Sequence, residues 1–265
     1  MPERVWDVVA LGEAMVEFNQ TRAGEPQFLQ GFGGDTSNAI IAAARAGART
    51  AYLTRLGADA FGNSLLGLWA QEQVDTHAIT PDASAATGIY FVSHGLQGHE
   101  FSYLRAHSAA SRMDPVWLQG APAACISQAH WLHVSGISMA ISDTACDTVF
   151  AAMALARAAG TRVSFDANLR LKLWPLARAQ ACIRQAISLC DLFLPSYDDM
   201  VTLTGLAEAQ AIVDWCHDQG ARQVVLKLGA EGAIISPAAG RARSTLTGHP
   251  VTAVDATGAG DCFSG

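Results

Sequence analysis

The chain has 265 residues, a formal net charge of −7 and no lysine- or arginine-rich run, which argues against a nucleic-acid surface. Half of its residues are hydrophobic and 15% are charged, enough apolar material for one large α/β domain, or one with a small appendage. Residues 1–7 lack the basic start and apolar stretch of a signal peptide, no run is apolar enough to span a bilayer, and the scattered cysteines have no CxxC spacing, so reduced thiols and a cytoplasmic location are expected.

Residues 5–11 are a short apolar run with Asp7 inside it, a buried first strand. Residues 13–32 are mixed and polar, with Phe18 and Phe28 separated by turn formers. Thr36, Ser37 and Asn38 can cap a helix over 39–46 that Gly47 stops. Residues 51–56 then read as a strand and 62–73 as a helix. Residues 87–105 read as a hairpin whose strands, 88–93 and 100–105, flank a Gly/Gln/His turn. Beyond it, strands are predicted at 131–134, 162–165, 191–194 and 223–227, with helices at 143–159 and 176–189 and two helical stretches ending near Gln219. Strands alternating with helices imply a parallel sheet covered on both faces. The two segments that break the alternation can pair into a small separate sheet, suited to a lid that shuts water away from a reacting phosphate. The alternative is an edge hairpin completing the main sheet.

Near the end of the chain a β-rich run, 249–254, leads into Asp255-Ala256-Thr257-Gly258-Ala259-Gly260-Asp261, and Cys262-Phe263 can open a helix. Small residues admit close approach of a ligand, and N–H groups at a helix N-terminus bind anions, phosphate above all. A carboxylate inside an anion cradle makes sense if Asp261 accepts a proton from a hydroxyl that then attacks a phosphoryl group held by those N–H groups. The plainer alternative is a glycine-rich turn with an N-capping Asp.

Other nucleotide motifs are missing. The two lysines, Lys172 and Lys227, are each followed by leucine, so there is no Walker A loop, and the His-Arg-Asp and Asp-Phe-Gly signatures are absent. Gly31-Phe32-Gly33-Gly34 lacks the last glycine of a dinucleotide fingerprint.

Gly33-Gly34-Asp35-Thr36-Ser37-Asn38 before an alanine-rich helix, followed about two hundred residues later by the Asp255–Asp261 motif, resembles the ribokinase-like (phosphofructokinase-B) sugar kinases along the whole chain, 1–265. The resemblance implies a three-layer α/β/α core with a mostly parallel central sheet and a small β-sheet lid, here about 13–34 and 87–107. Residues 12–18, Tyr103-Leu104-Arg105 and Asp166-Ala167-Asn168-Leu169-Arg170 are similar to the 2-keto-3-deoxygluconate kinase branch. A keto-deoxy sugar acid carries a carboxylate, which arginine recognises through two parallel hydrogen bonds; Arg105 and Arg170 are the candidates.

The resemblance further implies that Gly34 and Asp35 contact the sugar, with helix capping as the rival role for Asp35. Tyr90, Tyr103 and Ile137 would line its pocket. Asn168, Ser196, Lys227, Gly229 and Gly232 would face ATP. Many relatives have Asn-x-x-Glu where this chain has Ser196-Tyr197-Asp198-Asp199, so Asp199 is the candidate near Mg²⁺ and Asp198 its competitor. Asp261 would be the base, with Gly258, Ala259 and Gly260 stabilising the transferring phosphoryl group. The expected activity is ATP-dependent phosphorylation of the terminal hydroxyl of a sugar acid. A neutral-sugar kinase or a non-catalytic sugar-acid-binding homologue are the alternatives. Relatives continue past the position of Gly265, so a C-terminally short chain is expected, and pairing of lid strands between subunits gives a possible homodimer.

Overall fold

Trp6–Leu11 (β1) is the buried strand that its apolar run predicts, and the large sheet is built out from it. The computed structural model describes residues 4–95, 98–238, 240–249, 251–252 and 256–265. After β1 the chain forms Met15–Gln20 (β2) and Phe28–Gly33 (β3), then helix Asp35–Arg45 (α1). Thr50–Leu53 (β4), Arg55–Gly57 (β5), helix Ala60–Gln71 (α2), Val74–Asp75 (β6) and Thr80–Asp82 (β7) follow. Ile89–Gly95 (β8) and Gly98–Leu104 (β9) make the hairpin, and helix Ala121–Ser127 (α3) comes next. The second half runs Ala129–Ser135 (β10), Gly136–Ala140 (α4), Asp143–Ala159 (α5), Arg162–Asp166 (β11), Leu176–Leu189 (α6), Leu192–Phe193 (β12), Tyr197–Thr204 (α7) and Ala209–Asp218 (α8). It closes with Gln223–Lys227 (β13), Gly232–Ser236 (β14), Ser244–Thr247 (β15) and Ala259–Ser264 (α9).

The large sheet has the order β15-β14-β13-β12-β11-β10-β1-β4-β6, parallel from β13 to β6 and antiparallel at β14 and β15. Strand order runs outward from β1 in both directions, through β4 on one side and β10 on the other. That reversal is where α/β sheets bind ligands, beyond the carboxyl ends of the strands. A second sheet, β3-β2-β8-β9, stands apart, as the two irregular segments predict. A short β5–β7 pair completes the strands among the described residues.

Apolar packing fixes the core. Phe165 and Phe193, fully buried on neighbouring strands, stack with ring centroids 5.7 Å apart. Burying such a side chain contributes about 1.5–3 kcal/mol. Helix α5 starts where Ser142 Oγ accepts from the Ala145 N–H at 3.0 Å, and it stops at Gly160, whose φ of 72° is left-handed. No helix among the described residues is long and apolar enough to cross a membrane.

Several sequence expectations need correction. The cap of α1 is Gly34, with φ 122°, not Thr36, Ser37 or Asn38, and Asp35 is the first helical residue rather than the cap. The polar side chains at 36–38 turn inward instead: Thr36 Oγ1 pairs with the Tyr52 hydroxyl at 2.9 Å and Ser37 Oγ accepts from Trp69 Nε1 at 2.9 Å. The strand expected at 51–56 breaks at Thr54 into β4 and β5. Helix α2 begins at Ala60 because Asp59 caps it, accepting from the Gly62 N–H at 2.8 Å. Of the run at 249–254, Val251 and Thr252 are not in a strand, and Pro250, Ala253 and Val254 lie outside the described residues, as does Asp255. Leu96 and Gln97 of the hairpin turn lie outside them too.

Candidate active site

Helix α9 brings Asp261 to the carboxyl ends of the parallel strands, against the start of α1. Asn38 Nδ2 donates to Asp261 Oδ2 at 3.0 Å, and Asn168 Nδ2 lies 3.3 Å from Asp261 Oδ1. The same Asn168 amide donates to Asp35 Oδ2 at 3.0 Å. One side chain thus spans two carboxylates, and it does so from a backbone with φ 31°, just past the end of β11. Asp35 is buried, and its Oδ1 has no aligned hydrogen-bond partner. Burial, and then the charge of Asp261, push the Asp35 carboxyl above the usual carboxylate range.

A cation pairs with a third acid, Asp166, beside this group. Lys227 Nζ, at the end of β13, lies 2.5 Å from Asp166 Oδ2, 3.3 Å from Ser264 Oγ and 3.4 Å from the Gly260 carbonyl. Ser264 Oγ lies 3.0 Å from both Asp166 Oδ2 and the Gly260 carbonyl. The network ties the first turn of α9 to the sheet. Gly258 caps that turn with φ 74°, and no side chain caps it, so the plainer alternative of an N-capping Asp is not what forms. The N–H groups of Gly260 and Asp261 fall in the first turn, where a helix supplies no acceptor.

The small sheet joins the core beside Asp35. Tyr90 and Tyr103 are direct cross-strand partners on β8 and β9, with rings stacked 5.6 Å apart; Tyr90 is buried and Tyr103 is 44% exposed. Tyr90 donates its hydroxyl to Glu17 on β2. A Cβ on Gly33 would sit 2.3 Å from the Tyr90 oxygen, so that position must stay bare. Arg105, just past β9, is 11% exposed and forms an ion pair with fully buried Glu13. Arg170 is far more exposed, and its Nη1 donates to the neighbouring Leu169 carbonyl at 2.8 Å. Ile137 is half-buried in α4.

On the remaining side, Ser196 caps α7, its Oγ accepting from the Asp199 N–H at 3.3 Å, and it forms a bridge with Lys227. Asp199 Oδ2 accepts from the Leu169 N–H at 3.1 Å; burial holds its carboxyl above the usual range, partly offset by that bond. Asp198 is exposed. Gly229 and Gly232, with φ 60° and 107°, make the turn from β13 to β14.

The structure therefore brings together Asp35, Asn168, Lys227, Gly260 and Asp261, and separately Gly34, Tyr90, Tyr103 and Arg105. Sequence reasoning gave Asn38 only a capping role and assigned none to Glu13, Glu17, Asp166 or Ser264. All but Ser264 lie inside segments that carried the resemblance, which was the available signal.

A mostly parallel sheet with acids gathered at its strand ends, a second small sheet joined beside them and a helix N-terminus next to an aspartate suit phosphoryl transfer to a sugar. The chain belongs to the pfkB family of carbohydrate kinases, whose profile matches residues 6–265. It is 33% identical to a 2-dehydro-3-deoxygluconokinase of Thermoproteus tenax over 99% of this chain and 81% of that protein. It is 32% identical to a fructokinase of Klebsiella pneumoniae over 99% of this chain and 82% of that one. Among solved structures, a PfkB protein from Polaromonas sp. JS666 superposes with a TM-score of 0.88 at 34% identity, covering 97% of this chain and 85% of that one. The chain is thus a phosphotransferase with an alcohol group as acceptor.

Proposed function

We propose that the protein phosphorylates the terminal hydroxyl of 2-keto-3-deoxygluconate with ATP. The observation that carries this reading is the pair of carboxylates held by one amide: Asp261 Oδ1 and Asp35 Oδ2 both contact Asn168 Nδ2, while Asp35 Oδ1 is buried beside Ser135 without an aligned donor. A sugar hydroxyl is such a donor.

In this reading Asp35 and Gly34 hold the sugar with one hydroxyl turned to Asp261. Asp261 takes that hydroxyl's proton as its oxygen attacks the γ-phosphorus and the bond to the ADP oxygen breaks. N–H groups around Gly258 and Gly260 stabilise the charge that develops on the transferring group, while the Ala259 N–H is already given to the Ala256 carbonyl at 3.2 Å. Lys227 holds that turn in place, and with Asn168, Ser196, Gly229 and Gly232 it forms the nucleotide side. Mg²⁺ arriving on ATP would neutralise the β- and γ-phosphates. Asp199, half-buried with its Oδ2 accepting from the Leu169 N–H, would hold it through water, with Asp198 as the exposed alternative. The small sheet, carrying Tyr90 and Tyr103, acts as the lid; Ile137 is an apolar wall, and Arg105 and Arg170 are the candidates for the sugar carboxylate.

The substrate assignment is supported by the 2-dehydro-3-deoxygluconokinase relative and by a partly buried arginine, Arg105, at the base of the lid. The fructokinase relative keeps a neutral sugar as the second reading. Calorimetric titration and a kinase assay with 2-keto-3-deoxygluconate, 2-keto-3-deoxygalactonate, fructose and ribose separate the two. Preference for fructose or ribose over both acids defeats the first reading.

A further inference from the structure

The chain passes between the two sheets four times: from β1 to β2, from β3 to α1, into β8 and out of β9. All four passages meet at Glu13. Its residue lies on the first. A Cβ on Gly34, on the second, would sit 2.5 Å from the Glu13 carbonyl, and one on Gly88, on the third, would sit 3.0 Å from Glu13 Oε1. On the fourth, Ser108 Oγ donates to Glu13 Oε1 at 2.5 Å and Arg105 Nη2 contacts Glu13 Oε2.

That last contact is an ion pair without aligned hydrogen bonds. Glu13 Oε2 and Arg105 Nε and Nη2 are all buried, and none has a hydrogen-bond partner. Nε and Nη2 form one of the two edges with which arginine clasps a carboxylate through parallel bonds. A guanidinium left buried with no counter-charge is strongly unfavourable, so in the empty protein some carboxylate must stay near that edge. Glu13 supplies it, in poor geometry.

We infer that Glu13 is an internal stand-in for the substrate's carboxylate, parking Arg105 until a sugar acid takes over its Nε/Nη2 edge. This rests on the reading of Arg105 as the group that receives the sugar carboxylate. Glu13 acts through Arg105 and is a positioning residue. Its consequence is specificity: an anionic sugar must displace a competitor already inside the protein, whereas a neutral sugar meets no such competitor.

The test is calorimetric titration of 2-keto-3-deoxygluconate and of fructose into the parent chain and into Glu13→Gln, Arg105→Ala and the double variant. Glutamine keeps the shape and the acceptor for Ser108 but not the charge. Glu13→Gln should tighten sugar-acid binding by at least about tenfold and leave fructose within about twofold. Arg105→Ala should erase the preference for the acid, and the double variant should bind as Arg105→Ala does, since a residue acting only through another adds nothing once that other is gone. If Glu13→Gln does not fold, Glu13→Asp, one methylene further from the guanidinium, should give the same direction at smaller size. Weaker acid binding in Glu13→Gln, or equal change for both sugars, overturns the inference alone. An unchanged acid-to-neutral ratio in Arg105→Ala overturns the sugar-acid reading and this inference with it.

Discussion

Asn38, in the first turn of α1, donates to Asp261 at 3.0 Å across 223 residues of sequence. The helix that leaves the small sheet and the helix that ends the chain are thereby pinned to each other at the proposed base. Asn168 holds the other oxygen, so the carboxylate is fixed in two directions before any sugar arrives. A base held in this way has little rotational freedom to lose on reaching the transition state.

Asp261→Asn removes the proton acceptor and keeps the shape. Turnover should fall by at least about a hundredfold, while the sugar Kd from calorimetry stays within a few-fold. Turnover near the parent level would show that another group takes the proton.

Asp35 gives a stability test with a definite sign. Its carboxyl is raised by burial and by Asp261, so the folded protein binds that proton more tightly than the unfolded chain does. Stability contributed by this group therefore falls as pH rises from the unfolded to the folded pKa, and the loss is complete above the latter. Asp35→Asn should be more stable than the parent at neutral pH, on the order of 1–3 kcal/mol. The advantage should shrink as pH drops through the folded pKa. Thermal unfolding from pH 5 to 8 reads this, and sugar affinity should fall in the same variant.

Gly34→Ala should destabilise the protein. The backbone there has φ 122°, and the new methyl would meet the Glu13 carbonyl at 2.5 Å and Ala14 Cα at 2.8 Å. Strain of this kind costs about 1–3 kcal/mol, seen as a lower denaturant midpoint with an unchanged slope.

Lys227→Met should unfold more easily by about 3–5 kcal/mol, because Asp166 stays buried without its cation. Adding Asp166→Asn should recover much of that loss in urea unfolding, since both charges are then gone. No recovery would mean that the two side chains are not coupled.

Elements with strong local signals were legible in the sequence. Helices α5 and α6 and strand β13 have the predicted bounds, since caps, periodicity and flanking polar residues act within a few positions. Strand β3 was not legible: it is mostly exposed and carries Gly31 and Gly33, so neither alternation nor β-propensity marks it. β15, exposed at every position, was missed for the same reason. In the site, the small-residue motifs marked the segments expected to meet a phosphate. What escaped was pairing between distant parts of the chain. The amide of Asn38 looks like a cap when its partner is out of view, and nothing near Arg105 announces a carboxylate at position 13.

The small sheet is fastened along one border only, where the backbone strands passing to and from the core gather around a single glutamate. Its opposite border, with Phe28 and Leu29 facing outward, carries no such obligation. Variation in length or side chain should accumulate at that outer margin, and a foreign hairpin grafted there should leave the fold intact, whereas a one-residue insertion at the fastened border should not.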